Sequence, residues 1–269
     1  MLNIKEGQIP FENTQIEYVA FGEGTEILVM IPGLGDGLKT VKGTGFLLSK
    51  LYKPFAKQYR VYVFSRRTKL PEGFTMREMA ADLNVCLTKL GLQKVNLLGI
   101  SQGGMISQYF AIDYPQKVHK LILAVTLSRP NETSKQVIKQ WIEMAEKGQF
   151  KMLTIDTMEK TYVGKRLKRY RLLYPFAGLF GKPKSIERFL IQAKACLQHN
   201  AYDELNKIMC KTLVVGGEKD QIVGAKASVE IDEQLKGSKL IMYPELGHGA
   251  ADEKVFIRDV IHFLRRIDE

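Results

Sequence analysis

Cysteine and histidine are scarce in this chain, and each scarcity closes off a class of explanation. Three cysteines in 269 residues, Cys86, Cys196 and Cys210, give an odd number with no close pairing and no metal-like spacing. A disulfide-stapled scaffold and a zinc-centred site are therefore not indicated, and no metal or organic cofactor is expected. Long apolar runs are missing too: none approaches the ~20 residues that cross a bilayer. The N-terminal stretch from Met1 to Gly7 lacks the charged-then-apolar layout of a secretory signal, so a reduced, cytoplasmic chain is expected. No nucleic-acid motif is present and the aromatics form no stacking series, which argues against a nucleic-acid partner. Internal repeats and low-complexity tracts are absent.

The remaining composition is that of an ordinary globular protein, 45% apolar and 26% charged, long enough to bury a large core. The formal charge of +11 comes from basic residues spread along the chain. One cluster stands out: Lys165, Arg166, Lys168, Arg169 and Arg171. It reads as a solvated face or as an attractor of anionic substrate or anionic lipid. Beside it, residues 172–180 are unusually apolar for a stretch broken by proline and glycine.

Strand-like and helical patterns alternate, the signature of an α/β fold with a mostly parallel sheet covered by helices on both faces. Strands are predicted at 16–21, 27–31, 60–65, 95–100, 121–126, 212–216 and 239–243. Several are unbroken apolar runs, as strands buried on both faces require. Helices are predicted at 46–58, 76–90, 103–114, 225–235 and 254–267, with Thr75 and Glu78 forming a capping box for the second. From about 128 to 208 the alternation stops and helical patterns follow one another. One is capped near Thr133 and ends at Gly148; others cover 162–174 and 186–197. The expected organisation is a core of residues 1–127 and 209–269 with a helical cap insertion at 128–208.

Gly99-Ile100-Ser101-Gln102-Gly103 lies between an apolar strand and a helix. A serine at such a sharp turn is pushed out of the chain, and the two glycines allow the strand and helix to cross closely. A serine hydroxyl needs a base to become a nucleophile. Of the four histidines, His119 sits at the wrong end of a strand, His199 in the insertion and His262 in the last helix. His248 follows the predicted strand 239–243 at its carboxyl end, between Gly247 and Gly249. An acid must hold that imidazole. Asp220 follows strand 212–216 at the same edge, with Glu218 as the alternative. Two backbone donors for an oxyanion are expected from Gln102 and from Leu34 in the glycine-rich loop 31–37. That loop lacks the spacings of a phosphate cradle.

Ile-Pro-Gly-Leu-Gly at 31–35, Gly-Ile-Ser-Gln-Gly-Gly at 99–104, 114–123, Val-Val-Gly-Gly-Glu-Lys-Asp at 214–220 and Gly-His at 247–248 occur in that order. The set resembles the α/β-hydrolase superfamily, in particular its small capped esterases, lactonases and carbon–carbon-bond hydrolases. The resemblance implies Ser101 as nucleophile, Asp220 as acid, His248 as base, and Leu34 and Gln102 as oxyanion donors. It departs from the pattern at Pro32, where many members carry histidine, and at Ser65-Arg66-Arg67-Thr68, where many carry Asp-x-Arg-Gly. The function expected is a serine hydrolase cleaving a small-molecule carboxylic ester. Thioester, lactone or carbon–carbon cleavage on the same triad, or a slow-turnover ligand receptor, are the alternatives.

Overall fold

The structure, a computed structural model, describes residues 3–177, 183 and 185–266. Eight strands form one sheet: β1 (Lys5–Phe11), β2 (Thr14–Phe21), β3 (Glu26–Ile31), β4 (Tyr59–Arg67), β5 (Val95–Ile100), β6 (Val118–Ala124), β7 (Lys211–Gly217) and β8 (Lys239–Tyr243). Their order is β1-β2-β4-β3-β5-β6-β7-β8, antiparallel from β1 to β4 and parallel from there to β8. Side chains alternate across it. Val29, Ile31 and Leu97 enter one apolar cluster, whereas Leu28, Met30 and Leu98 enter the other. α3 (Met76–Lys89), α4 (Gln102–Asp113) and α9 (Lys226–Gln234) cover the first face; α1 (Gly45–Leu51), α2 (Lys53–Ala56) and α10 (Lys254–Arg265) lie on the second.

Between β6 and β7 the chain runs through α5 (Glu132–Glu146), α6 (Phe150–Thr161), α7 (Gly164–Arg171) and α8 (Ile186–Gln198). α5 starts two residues earlier than Thr133 capping would give, because Asn131 is the cap. Its Oδ1 accepts the Ser134 amide at 2.9 Å, and its own amide donates to Ser134 Oγ at 3.0 Å. α6 is an element that apolar periodicity does not predict: only Leu153 is buried along it. The 162–174 helix shortens to α7, with a separate turn at Tyr174–Phe176. Residues 178–180 of the apolar stretch lie outside the described residues, as does position 267 of the last predicted helix.

Other differences have local causes. β1 escapes detection because Ile9 is its single fully buried residue. The 46–58 helix divides at Tyr52, with Pro54 in the first turn of α2. The 121–126 strand ends at Ala124, because Val125 takes φ 46°. The capping box on α3 is present as expected, with Glu78 N–H donating to Thr75 Oγ1 at 3.2 Å and Thr75 N–H to Glu78 Oε2 at 2.7 Å.

His199 follows α8 and packs under the insertion, 2% exposed, edge-on to Tyr109 with 5.2 Å between ring centres. Burial pushes its imidazole down from 6.5 to about 3, against a smaller opposing effect from the Leu127 backbone. It folds uncharged, whereas the unfolded chain takes up a proton below its ordinary value, so acid favours unfolding. Stability should therefore fall by ~1.4 kcal/mol per pH unit on going below about 6.5, and level off only near pH 3. Urea unfolding across that window should show a shallower acid slope for His199→Gln than for the wild type; equal slopes would remove His199 from the acid limb.

Candidate active site

The turn from β5 into α4 puts Ser101 at φ 55° and ψ −120°, a conformation that costs a non-glycine residue about 1–3 kcal/mol. Packing holds it there. Ser101 N–H donates to the Ala124 carbonyl at 2.9 Å, and Thr126 Oγ–H donates to the Ser101 carbonyl at 2.7 Å. A methyl group on Gly103 would overlap the Ile31 carbonyl, and one on Gly99 would come within 2.5 Å of Ser107 Oγ. Both glycines are needed for the crossing of strand and helix.

The carboxyl ends of β7 and β8 supply the facing groups. Ser101 Oγ–H donates to His248 Nε2 at 2.9 Å, and His248 Nδ1–H donates to Asp220 Oδ2 at 2.7 Å. Asp220 Oδ1 accepts the amides of Ile222 and Val223 at 2.8 and 3.0 Å, which fixes the carboxylate plane. Burial on its own raises the Asp220 carboxyl. The His248 charge, its hydrogen bond and the two amides outweigh burial and leave the group below the usual carboxylate range. Glu218 points into solvent instead. The acid and histidine loops are laced together, since Lys219 N–H donates to Leu246 O at 2.9 Å and Glu218 N–H to Tyr243 O at 3.1 Å.

His119 lies near the amino end of β6, far along the sheet from this edge, and His262 is exposed on α10. Gln102 is the first residue of α4 and Leu34 the first of a short 3-10 turn, Leu34–Gly37. First-turn amides have no acceptor within their own helix. Both residues line the same cavity as Ser101 and His248. That arrangement can activate a hydroxyl and receive negative charge on an adjacent oxygen.

The cavity measures about 560 Å³, within the range for small-molecule sites. Its walls come from the sheet edge and from the insertion, including Met105, Ile138, Trp141, Met158 and Tyr170. Among the described residues lining it there is no lysine or arginine. The one carboxylate among the described wall residues, Asp252, accepts the Tyr162 hydroxyl at 2.8 Å and lies 3.6 Å from Arg166. Cys196 also lines the cavity, but burial pushes its thiol up to about 12, so it stays protonated at neutral pH.

Behind the glycine-rich loop lies a feature that local sequence patterns do not reveal. Arg66 Nη2 donates to the carbonyls of Pro32 and Gly33 at 2.5 and 3.1 Å, and also to Gln102 Oε1. Gln102 Nε2 in turn donates to the Gln192 carbonyl of α8 at 3.0 Å. Asp36 sits 3.6 Å from Arg66 and pairs with Arg188 of α8. All three charged residues are buried, and two cations share one anion. Burial lowers Arg66 to about 10 despite the neighbouring Asp36. The only hint in the sequence is the unusual Ser65-Arg66-Arg67-Thr68 segment. Asp36→Asn would leave both guanidinium groups without a counter-charge. It should lower stability by about 3–5 kcal/mol, read as a drop in the urea midpoint with unchanged slope.

Comparison with known proteins agrees with this fold. Residues 26–151 match a family model described as the alpha/beta hydrolase fold. A curated relative, 2-hydroxy-6-oxononadienedioate/2-hydroxy-6-oxononatrienedioate hydrolase 2 of Pseudomonas putida, is 26% identical over 97% of this chain and 94% of its own length. Among solved structures, the alpha/beta hydrolase enzyme MGS-M2 from a Medee basin deep-sea metagenome library is similar at TM-score 0.84 and 21% identity, with 98% of each chain covered. An esterase from Exiguobacterium antarcticum is similar at TM-score 0.77 and 20% identity, covering 94% of this chain and 96% of that one. With the sheet order, the partial family match and the solved structures in agreement, this chain has the α/β-hydrolase fold.

Proposed function

We propose that this protein is a serine hydrolase that cleaves carboxylic esters with uncharged, largely apolar substituents through an acyl-enzyme. The observation that carries the reading is the continuous Ser101–His248–Asp220 hydrogen-bond chain opening into an apolar cavity. Ser101 Oγ attacks the ester carbonyl as its proton passes to His248 Nε2. Asp220 holds the tautomer and stabilises the imidazolium that results. The carbonyl oxygen, now an oxyanion, accepts the amides of Gln102 and Leu34. On collapse the C–O bond breaks, and the leaving alkoxide takes the proton from His248. A water, deprotonated by the same imidazole, then attacks the acyl carbon and frees Ser101 and the acid product. The helices of 128–208 serve as a cap that shapes the substrate pocket.

The Pseudomonas relative keeps a second reading in play, because it acts on a dioate, a substrate with two carboxylates. A dicarboxylate entering this cavity would leave water without meeting a cation on its described walls, and buried Arg66 and Arg188 already bond to backbone carbonyls and Asp36. Uncompensated burial of charge is costly. That cost favours neutral esters over the dioate-type substrate. The esterase of Exiguobacterium antarcticum shares the fold and nothing closer.

A fluorophosphonate probe should label Ser101, and labelling that survives Ser101→Ala would overturn the assignment. Against short p-nitrophenyl esters, His248→Ala should lose about 10³-fold or more in turnover. Asp220→Asn should lose a comparable factor with the fold intact, while Glu218→Gln stays near wild type. Substrate charge gives a separate measurement. kcat/KM for p-nitrophenyl butyrate should exceed that for the matching hemisuccinate by about tenfold or more. Preference for the hemisuccinate would favour the dicarboxylate reading instead.

A further inference from the structure

The basic cluster acquires a definite geometry in the fold. α7 turns Arg166 and Tyr170, four residues apart, inward. Tyr170 stacks on Tyr162 with 4.3 Å between ring centres and lines the cavity, while Arg166 Nη1 donates to Glu253 at 2.6 Å. Arg171 is also accounted for, since it donates to Glu159 at 2.8 and 2.7 Å. The opposite side carries Lys165, Lys168 and Arg169, all exposed and without an ion-pair partner among the described residues. Spacings of three, four and seven residues align them with Leu172. Leu172, Leu173 and Phe176 are 76%, 49% and 52% exposed, adjoining the three cations.

We propose that this outer face of α7, with Leu172, Leu173 and Phe176, docks the protein on anionic phospholipid bilayers. Charge complementarity selects the occupant: three unpaired cations with no free acid among them match an anionic surface. Large apolar side chains beside those cations add an insertion term. A fluid interface accepts these side chains without a shaped recess. The inner side of the same helix is cavity wall, so docking would hold the substrate cavity beside the interface. The docking rests on the surface alone; its use in drawing ester substrates from the bilayer rests on the hydrolysis proposed above.

The test is co-sedimentation of the full chain with phosphatidylcholine vesicles, with and without one-third phosphatidylglycerol. Measurements are made at about 0.1 M and about 1 M salt, where the screening length drops from about 10 Å to about 3 Å. The Ser101→Ala protein should bind anionic vesicles as the wild type does, so that lost catalysis and lost docking are read separately. Combined Lys165→Ala, Lys168→Ala and Arg169→Ala should lower the partition coefficient about 100-fold. Leu172→Ser with Phe176→Ser should lower it at least about 10-fold. Both variants should keep wild-type turnover of a soluble p-nitrophenyl ester, which shows they are folded. Binding should also weaken in high salt. Equal binding to neutral vesicles, no binding at low salt, or wild-type partitioning of either variant would overturn the proposal. So would capture by soluble polyglutamate, sensitive to the same charge substitutions, when vesicles capture nothing; that result would identify an acidic protein as the partner.

Discussion

Everything at this site depends on a serine backbone held where serine does not relax. Ser101 remains at positive φ because its amide is bound to β6, its carbonyl to Thr126, and the helix behind it lies too close for any side chain at Gly103. The strain has a direct geometric return. It lifts Oγ to where His248, in the loop after β8, bonds it, and it sets Gln102, the first residue of α4, on the wall of the same cavity. A relaxed serine at this position would lie along the strand, and its hydrogen bond to His248 would be lost.

A second constraint ties the insertion to that turn. Arg188 brings α8 onto Asp36, and Arg66 joins Asp36 to the carbonyls of the glycine-rich loop and to the Gln102 side chain. Gln102 beside Ser101, the glycine-rich loop and one helix lining the cavity are thus parts of a single polar network. The network carries an excess of buried positive charge on the side of the loop away from solvent. Its contacts to the Pro32 and Gly33 carbonyls hold the loop whose Gly33, Leu34 and Gly35 line the cavity. Movement of α8 would break bonds to Gln102 and Asp36, so pocket shape and loop geometry are coupled here.

The sequence made the sheet edge legible because its signals are local. Gly99 and Gly103 bracket Ser101 within five residues, and Asp220 and His248 each come directly after an apolar run. The structure brings Ser101 and His248, with Leu34 and Gln102, around one cavity, and Asp220 bonds His248 from behind. What stayed hidden depends on contacts distant in sequence. Asp36, Arg66 and Arg188 are 30 and 122 residues apart in turn, and no periodic pattern joins them. α6 is hidden for another reason: its helix is half-wet all round, so no apolar stripe marks it. β1 is an edge strand with little buried surface and so gives no apolar run. Between β6 and β7 the helices other than α6 were readable but not the walls of the cavity, because those depend on which faces the helices turn inward.

The scarcity of tryptophan has a practical side. Trp141 is the chain's single tryptophan, buried in the cavity wall with its indole N–H donating to Asp156 at 2.6 Å. All indole emission from this protein therefore originates at one spot beside the cavity. Its wavelength responds to the polarity of what fills that space and to the state of one hydrogen bond. The native chain thus carries its own optical reporter of pocket occupancy, with no label to perturb the surface and no second indole to blur the signal.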